Sequence, residues 1–170
     1  MGIEIGLTLR LDLGAVARGD SAGAPPGVTV REVARDELAS LLGDNPALMR
    51  AAGDLDLAAP NGWRCFVAAI DGRPRHVSFV ETRPGRPLLF GAVTEPTARG
   101  RGLFAATVRF IAAALARDGV PALWSSVAGR NRPSVRAHRA AGFRVVRRTF
   151  DLRVAQISLR ALAGRLVRGA

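Results

Sequence analysis

Lysine and tyrosine are missing from this chain, and it has one cysteine, two histidines and only 5% aromatic residues in 170 positions. The lone Cys65 excludes an internal disulfide, and its place in a strand-like apolar run marks a buried structural thiol rather than a nucleophile. One cysteine and two histidines do not make a metal-ligand set, so no metal is expected. No apolar stretch reaches the length of a membrane span. The amino end has neither the charged start nor the cleavage site of a signal peptide, and a cytoplasmic location is the default reading.

What is present is a 48% hydrophobic chain, enough for one globular domain with a proper core. All 25 basic residues are arginine, set against 14 acidic ones, for a formal charge of +11. A surface of that sign attracts polyanions without reading any sequence. The arginines are nevertheless scattered along the chain and lack the aromatic interleaving of a base-stacking surface. A nucleic-acid partner is therefore not expected, and a basic nucleic-acid-associated protein stands only as an alternative.

Residues 3–13 alternate apolar with small or polar side chains, which predicts a strand with one buried face. A Gly/Ala/Pro-rich linker follows over 19–27. A strand is predicted over 28–33, a helix over 36–42 capped by Asp36, and an irregular segment over 43–62 with a short helix around Leu48. Strands over 64–70 and 76–82 join at Asp71-Gly72, a hairpin signal, and Pro84-Gly85 turns into a strand over 88–93. Apolar residues at 104, 108, 111, 112 and 115 predict a helix over 103–117. A strand over 122–127, a helix over 134–141 closed by Gly142, and strand structure over 143–154 come next. Leu159, Leu162 and Leu166 lie opposite Arg160, Arg165 and Arg168 in a final amphipathic helix. The domain reading is an extension strand and linker over 1–27, a core over 28–154 and the amphipathic helix over 155–170. The apolar faces at the two ends need cover, from the sheet edge, from a homodimer or, for the helix, from a membrane surface.

The stretch Arg99-Gly100-Arg101-Gly102-Leu103-Phe104 sits between predicted strand and helix. Glycines let the backbone approach a ligand, the first-turn N–H groups of the helix lack partners, and the positive end of its dipole points at the turn. That combination predicts an anion cradle in which the N–H groups of Arg101 to Ala105 face the ligand, with Arg99 and Arg101 as charge partners.

Thirty residues on stands Asn131-Arg132-Pro133-Ser134, with His138 and Gly142-Phe143 behind it. The two segments together resemble the acetyl-coenzyme A signature of the GNAT N-acetyltransferase superfamily. Phe104 departs from it at a position that takes a small residue, and His138 stands where the family often has tyrosine. The resemblance implies a mixed α/β fold whose central, mostly antiparallel sheet is flanked by helices and splays between the strands at 88–93 and 122–127. It implies direct transfer of an acyl group, most simply acetyl from acetyl-CoA, to an amine. The cofactor-binding set is Val93, Arg99, Gly100, Arg101, Gly102, Leu103, Phe104, Ala105 and Asn131. His138 and Ser134 are candidates to protonate the leaving thiolate, Glu95 to deprotonate the amine, with Glu81 and His76 behind it. A backbone N–H near Val93 would meet the oxyanion. Segment 43–62 would cover the acceptor. A non-catalytic CoA-binding or interaction module is the alternative reading.

Overall fold

The computed structural model describes residues 2–16, 24–43, 45–53 and 62–153. In chain order the elements are β1 (Gly2–Asp12), α1 (Leu13–Val16), β2 (Val28–Val33), α2 (Arg35–Leu42), α3 (Pro46–Gly53), β3 (Trp63–Ile70), β4 (Arg73–Glu81), β5 (Leu88–Thr94), a 3-10 turn (Pro96–Ala98), α4 (Leu103–Arg117), β6 (Ala122–Ala128), α5 (Arg132–Ala140) and β7 (Arg144–Arg153). They build one seven-stranded sheet in the order β2-β3-β4-β5-β6-β1-β7. Every pairing is antiparallel except β5 with β6.

Local chemistry explains most of these boundaries. The β3–β4 hairpin turns at Asp71 and Gly72, both at positive φ, 49° and 77°, as a two-residue primed turn requires. Helix α4 carries its buried residues Val108, Ile111 and Leu115 on one stripe and ends where Gly119 takes φ 73°. Helix α2 differs from its expected start. It begins at Arg35 after Ala34, without a side-chain cap, and Asp36 lies inside the first turn, where its carboxylate accepts from the N–H of Glu37 at 3.0 Å. The thiol of Cys65 is buried and pushed up to about 12 by that burial and by Glu32, as suits a structural residue.

The largest correction concerns β1, expected as an extension outside the core, against a sheet edge or a second subunit. It lies inside the sheet, antiparallel to β6 on one side and to β7 on the other. Leu7, Leu9, Leu11 and Leu13 enter the core shared with Val108, Ile111, Leu123 and Phe143. The chain runs from β6 through α5 to β7 and leaves a gap one strand wide, and β1 fills it with both backbone edges paired. The expected helix over 155–170 lies outside the described residues. Among the described residues, no helix is long and apolar enough to cross a membrane, and no group of three or more acidic, histidine or cysteine side chains is placed to hold a metal ion.

Candidate active site

The site begins where the sheet comes apart. Parallel strands β5 and β6 pair only at Leu88↔Trp124 and Leu89↔Ser125, and beyond those residues they diverge. On its other side β5 is bulged. The register passes from Phe79↔Phe90 to Val77↔Val93, so Ser78 faces both Gly91 and Ala92, and Gly91 supplies φ 57°. The bulge turns the end of β5 away from β6 and feeds the chain through the 3-10 turn into the glycine loop. There Gly100 and Gly102 stand at φ 78° and 75°. A Cβ on Gly100 would meet open space and one on Gly102 would lie 3.4 Å from Pro25, so backbone conformation demands glycine here more than steric room does.

Helix α4 starts directly after Gly102 with no side-chain cap. Its first intrahelical bond runs from the N–H of Ala106 to the carbonyl of Gly102. The N–H groups of Leu103, Phe104 and Ala105 precede that bond and point out of the helix end with the positive pole of its dipole.

These parts enclose a cavity of about 600 Å³ between the end of β5, the first turn of α4 and helix α5. Val93, Arg99, Gly100, Gly102, Leu103, Phe104, Ala105 and Asn131 all line it, so the fold brings together nearly all of the expected cofactor set. Arg101 is the exception. It lines a separate polar recess with Arg73 and Arg75 on the other side of the loop. Arg99 stays at the cavity rim, its Nε donating to the carbonyl of Thr94 at 3.4 Å.

Of the expected catalytic residues, Ser134 and His138 line the cavity. Asn131 caps α5, its Oδ1 accepting from the N–H of Ser134 at 3.2 Å. His138 is buried. Its Nδ1 lies 2.8 Å from the carbonyl oxygen of Ser134, which can only accept, so Nδ1 carries the proton. Its Nε2 then accepts from Ser125 Oγ at 2.9 Å. Burial lowers the pKa of the ring, opposed by the Ser134 carbonyl. A neutral His138 with both nitrogens engaged inside the protein holds the Ser134 turn against β6, and it lacks the free N–H expected of a direct donor. The Oγ of Ser134 lies 3.4 Å from Nδ1.

Glu95 does not line the cavity. Arg75 forms an ion pair with it, Thr97 Oγ1 donates to it at 3.0 Å and Asn45 Nδ2 at 3.2 Å. The Arg75 bond first, then that from Thr97, holds its carboxyl below the usual range. Such a carboxylate is a weak base and braces the end of β5 against α3. Glu81 lies at the far end of β4, paired to Arg83 at 2.7 Å.

His76 faces the cavity instead and is 1% exposed. Its Nδ1 lies 2.7 Å from Thr94 Oγ1 and its Nε2 2.7 Å from Ser78 Oγ. Burial pushes it down to about 4, so the ring is neutral at physiological pH. Phe104, the residue that departs from the family's small side chain, stands between the two histidines, with ring centroids 6.0 Å from His76 and 4.8 Å from His138. These three rings make the apolar floor of the cavity. The hydroxyls that hold the histidines, Thr94, Ser78 and Ser125, were not foreseen; their inward positions on alternating strands were the available signal.

No protein-family model matches the sequence, and no curated protein matches it. Solved structures do resemble the fold. A GCN5-related N-acetyltransferase from Sphaerobacter thermophilus superimposes with a TM-score of 0.62 at 18% identity, over 88% of this chain and 50% of that one. For a GCN5-related N-acetyltransferase from Kribbella flavida the TM-score is 0.57 at 19% identity, over 85% and 56%. AAC(6')-Iy, solved with the bisubstrate analog CoA-S-monomethyl-acetylneamine, gives 0.55 at 18% identity, over 74% of this chain and 97% of that one. The chain thus spans about half of the two longer relatives. It has the GNAT fold, with an open mixed sheet.

Proposed function

We propose that this protein is an acyl-CoA-dependent N-acyltransferase that moves an acetyl group from acetyl-CoA directly to a primary amine. The observation that carries the reading is the cavity between diverging β5 and β6, with the unpaired N–H groups of Leu103, Phe104 and Ala105 at its mouth. Orphan donors, a helix dipole and Arg99 on one rim suit a pyrophosphate, and an unpaired strand edge suits the amides of a pantetheine arm. Bound there, acyl-CoA supplies a thioester carbonyl and a thiolate leaving group.

The chain's own groups then have distinct tasks. Leu103 to Ala105 and Arg99 hold the phosphates, and the edge of β5 near Val93 orients the arm and offers an N–H to the oxyanion. Ser134 Oγ relays to the departing sulfur the proton that the attacking nitrogen sheds, so the hydroxyl is left as it began, while His138 fixes the turn that carries it. His76 and Phe104 exclude water from below. Amine attack on the carbonyl needs no covalent enzyme intermediate.

The test is release of free CoA thiol from acetyl-CoA across a panel of amines, run beside a thermal melt. Amine-dependent thiol release is expected, with stabilisation of about 2.7 kcal/mol at a hundredfold excess over Kd. Arg99→Glu should weaken CoA binding while the exposed Arg117→Glu leaves it unchanged. Stabilisation without release from any amine favours the non-catalytic CoA-binding module, and neither effect overturns the assignment of the cavity.

A further inference from the structure

Strand register gathers arginines that are scattered in the sequence. Arg10 on β1 stands opposite Trp124 on β6 and opposite Arg144 on β7. Cross-strand partners point to the same side of a sheet, so the three side chains share one face. Arg86, just before β5, reaches the same tryptophan. Its Cζ lies 4.6 Å from the ring centroid and that of Arg10 lies 5.7 Å from it. One row further along, Thr8 stands opposite Ser126 and Arg147. This face is the one turned away from α4, because Leu7, Leu9 and Leu11 occupy the other side of β1 with Val108 and Ile111.

Arg86, Ser126, Arg144 and Arg147 are exposed. Among the described residues Arg10, Arg86, Arg144 and Arg147 form no ion pair, and the buried Nε of Arg10 has no hydrogen-bond partner. The result is a cationic surface on which the guanidinium groups of Arg10 and Arg86 lie over a half-buried Trp124, with Asp12 the exposed acidic side chain on the same face of β1. Adjacent strands lie about 4.8 Å apart, so the row from Arg86 through Trp124 and Arg10 to Arg144 spans roughly 14 Å.

We propose that this face binds single-stranded nucleic acid. Guanidinium forks match phosphate oxygens bidentately, and guanidinium planes held over Trp124 can themselves stack on bases, the combination of basic track and stacking plane that sequence-tolerant strand binding uses. The proposal is independent of the transferase reading, and its test contains no acyl-CoA.

The probe is a fluorescently labelled single-stranded oligonucleotide of about 12 nucleotides, within the site sizes such surfaces show, titrated with the whole chain over a series of salt concentrations. Affinity should fall steeply with salt. The double variant Arg86→Gln/Arg144→Gln should reduce the slope of log K against log salt by about 1.4, near 0.7 for each lost phosphate contact. Arg117→Gln, which removes one positive charge from the end of α4, should leave the slope in place. A double variant that fails to fold is replaced by Arg147→Gln alone, with about half the slope change. An equal loss in Arg117→Gln overturns the proposal in favour of diffuse charge. Displacement of the oligonucleotide by polyglutamate at matched charge overturns it in favour of an acidic polypeptide partner.

Discussion

At the residue scale, two buried neutral histidines make the protein acid-labile. The unfolded chain binds a proton on each near the ordinary histidine pKa of about 6.5, whereas the native ring of His76 resists protonation down to about 4. The folded value is depressed, so the unfolded state holds more protons between those limits and stability falls as pH drops through the window. For His76 alone the loss approaches about 3 kcal/mol by pH 4. His138 adds to it in the same direction. His76→Gln, which can keep hydrogen bonds to Thr94 or Ser78, should flatten the fall in melting temperature between pH 6.5 and 4 compared with the parent. An unchanged slope would remove His76 as its source.

Ser134 and His138 divide one expected role between them. Ser134→Ala should lower kcat by about a hundredfold or more and leave the KM for acetyl-CoA nearly unchanged, since general-acid assistance acts on collapse of the intermediate. His138→Ala removes a buried ring from between Phe104 and Phe143, whose centroids lie 4.8 and 5.2 Å away. It should reduce both kcat and thermal stability, and restoring volume with His138→Phe should recover more stability than activity. Equal recovery of the two would mean that the hydrogen bond to Ser134 has no part in turnover. The histidine was legible in the sequence as a candidate. Its tautomer was not, because that depends on a carbonyl one helical turn away and on a hydroxyl from another strand.

At the scale of elements, β1 carries consequences that its place at the start of the chain conceals. Three buried leucines, Leu7, Leu9 and Leu11, contribute about 1.5–3 kcal/mol each, a sum comparable to the whole stability of a domain. Deleting residues 1–12 also bares the facing backbone edges of β6 and β7. The truncated chain should therefore lose its cooperative thermal transition and its acetyl-CoA binding together, as read by circular dichroism and calorimetry. Binding that survives without β1 would mean that the cavity folds independently of this half of the sheet. The alternation over 3–13 made the strand and its buried face readable. Its position between two later strands was not, since nothing local encodes which backbone edges a strand finds.

At the scale of the whole molecule, one sheet separates two surfaces of different character. On the side of α4 and α5, the diverging strands hold an apolar-floored cavity with donors at its rim. On the opposite side, the β6-β1-β7 half carries exposed arginines around Trp124.

By itself the sequence determined most of the elements and the glycine loop at the mouth of α4. Those depend on periodicity, positive φ and capping, which act over a few neighbouring residues. Only the tertiary structure decided that β1 fills the centre of the sheet, that Arg101 turns away from the cavity while His76 turns into it, that Glu95 is consumed by Arg75, Thr97 and Asn45, and that scattered arginines form a row. Each of these rests on strand register and bulges, which set the face a side chain occupies and pair residues far apart in the chain.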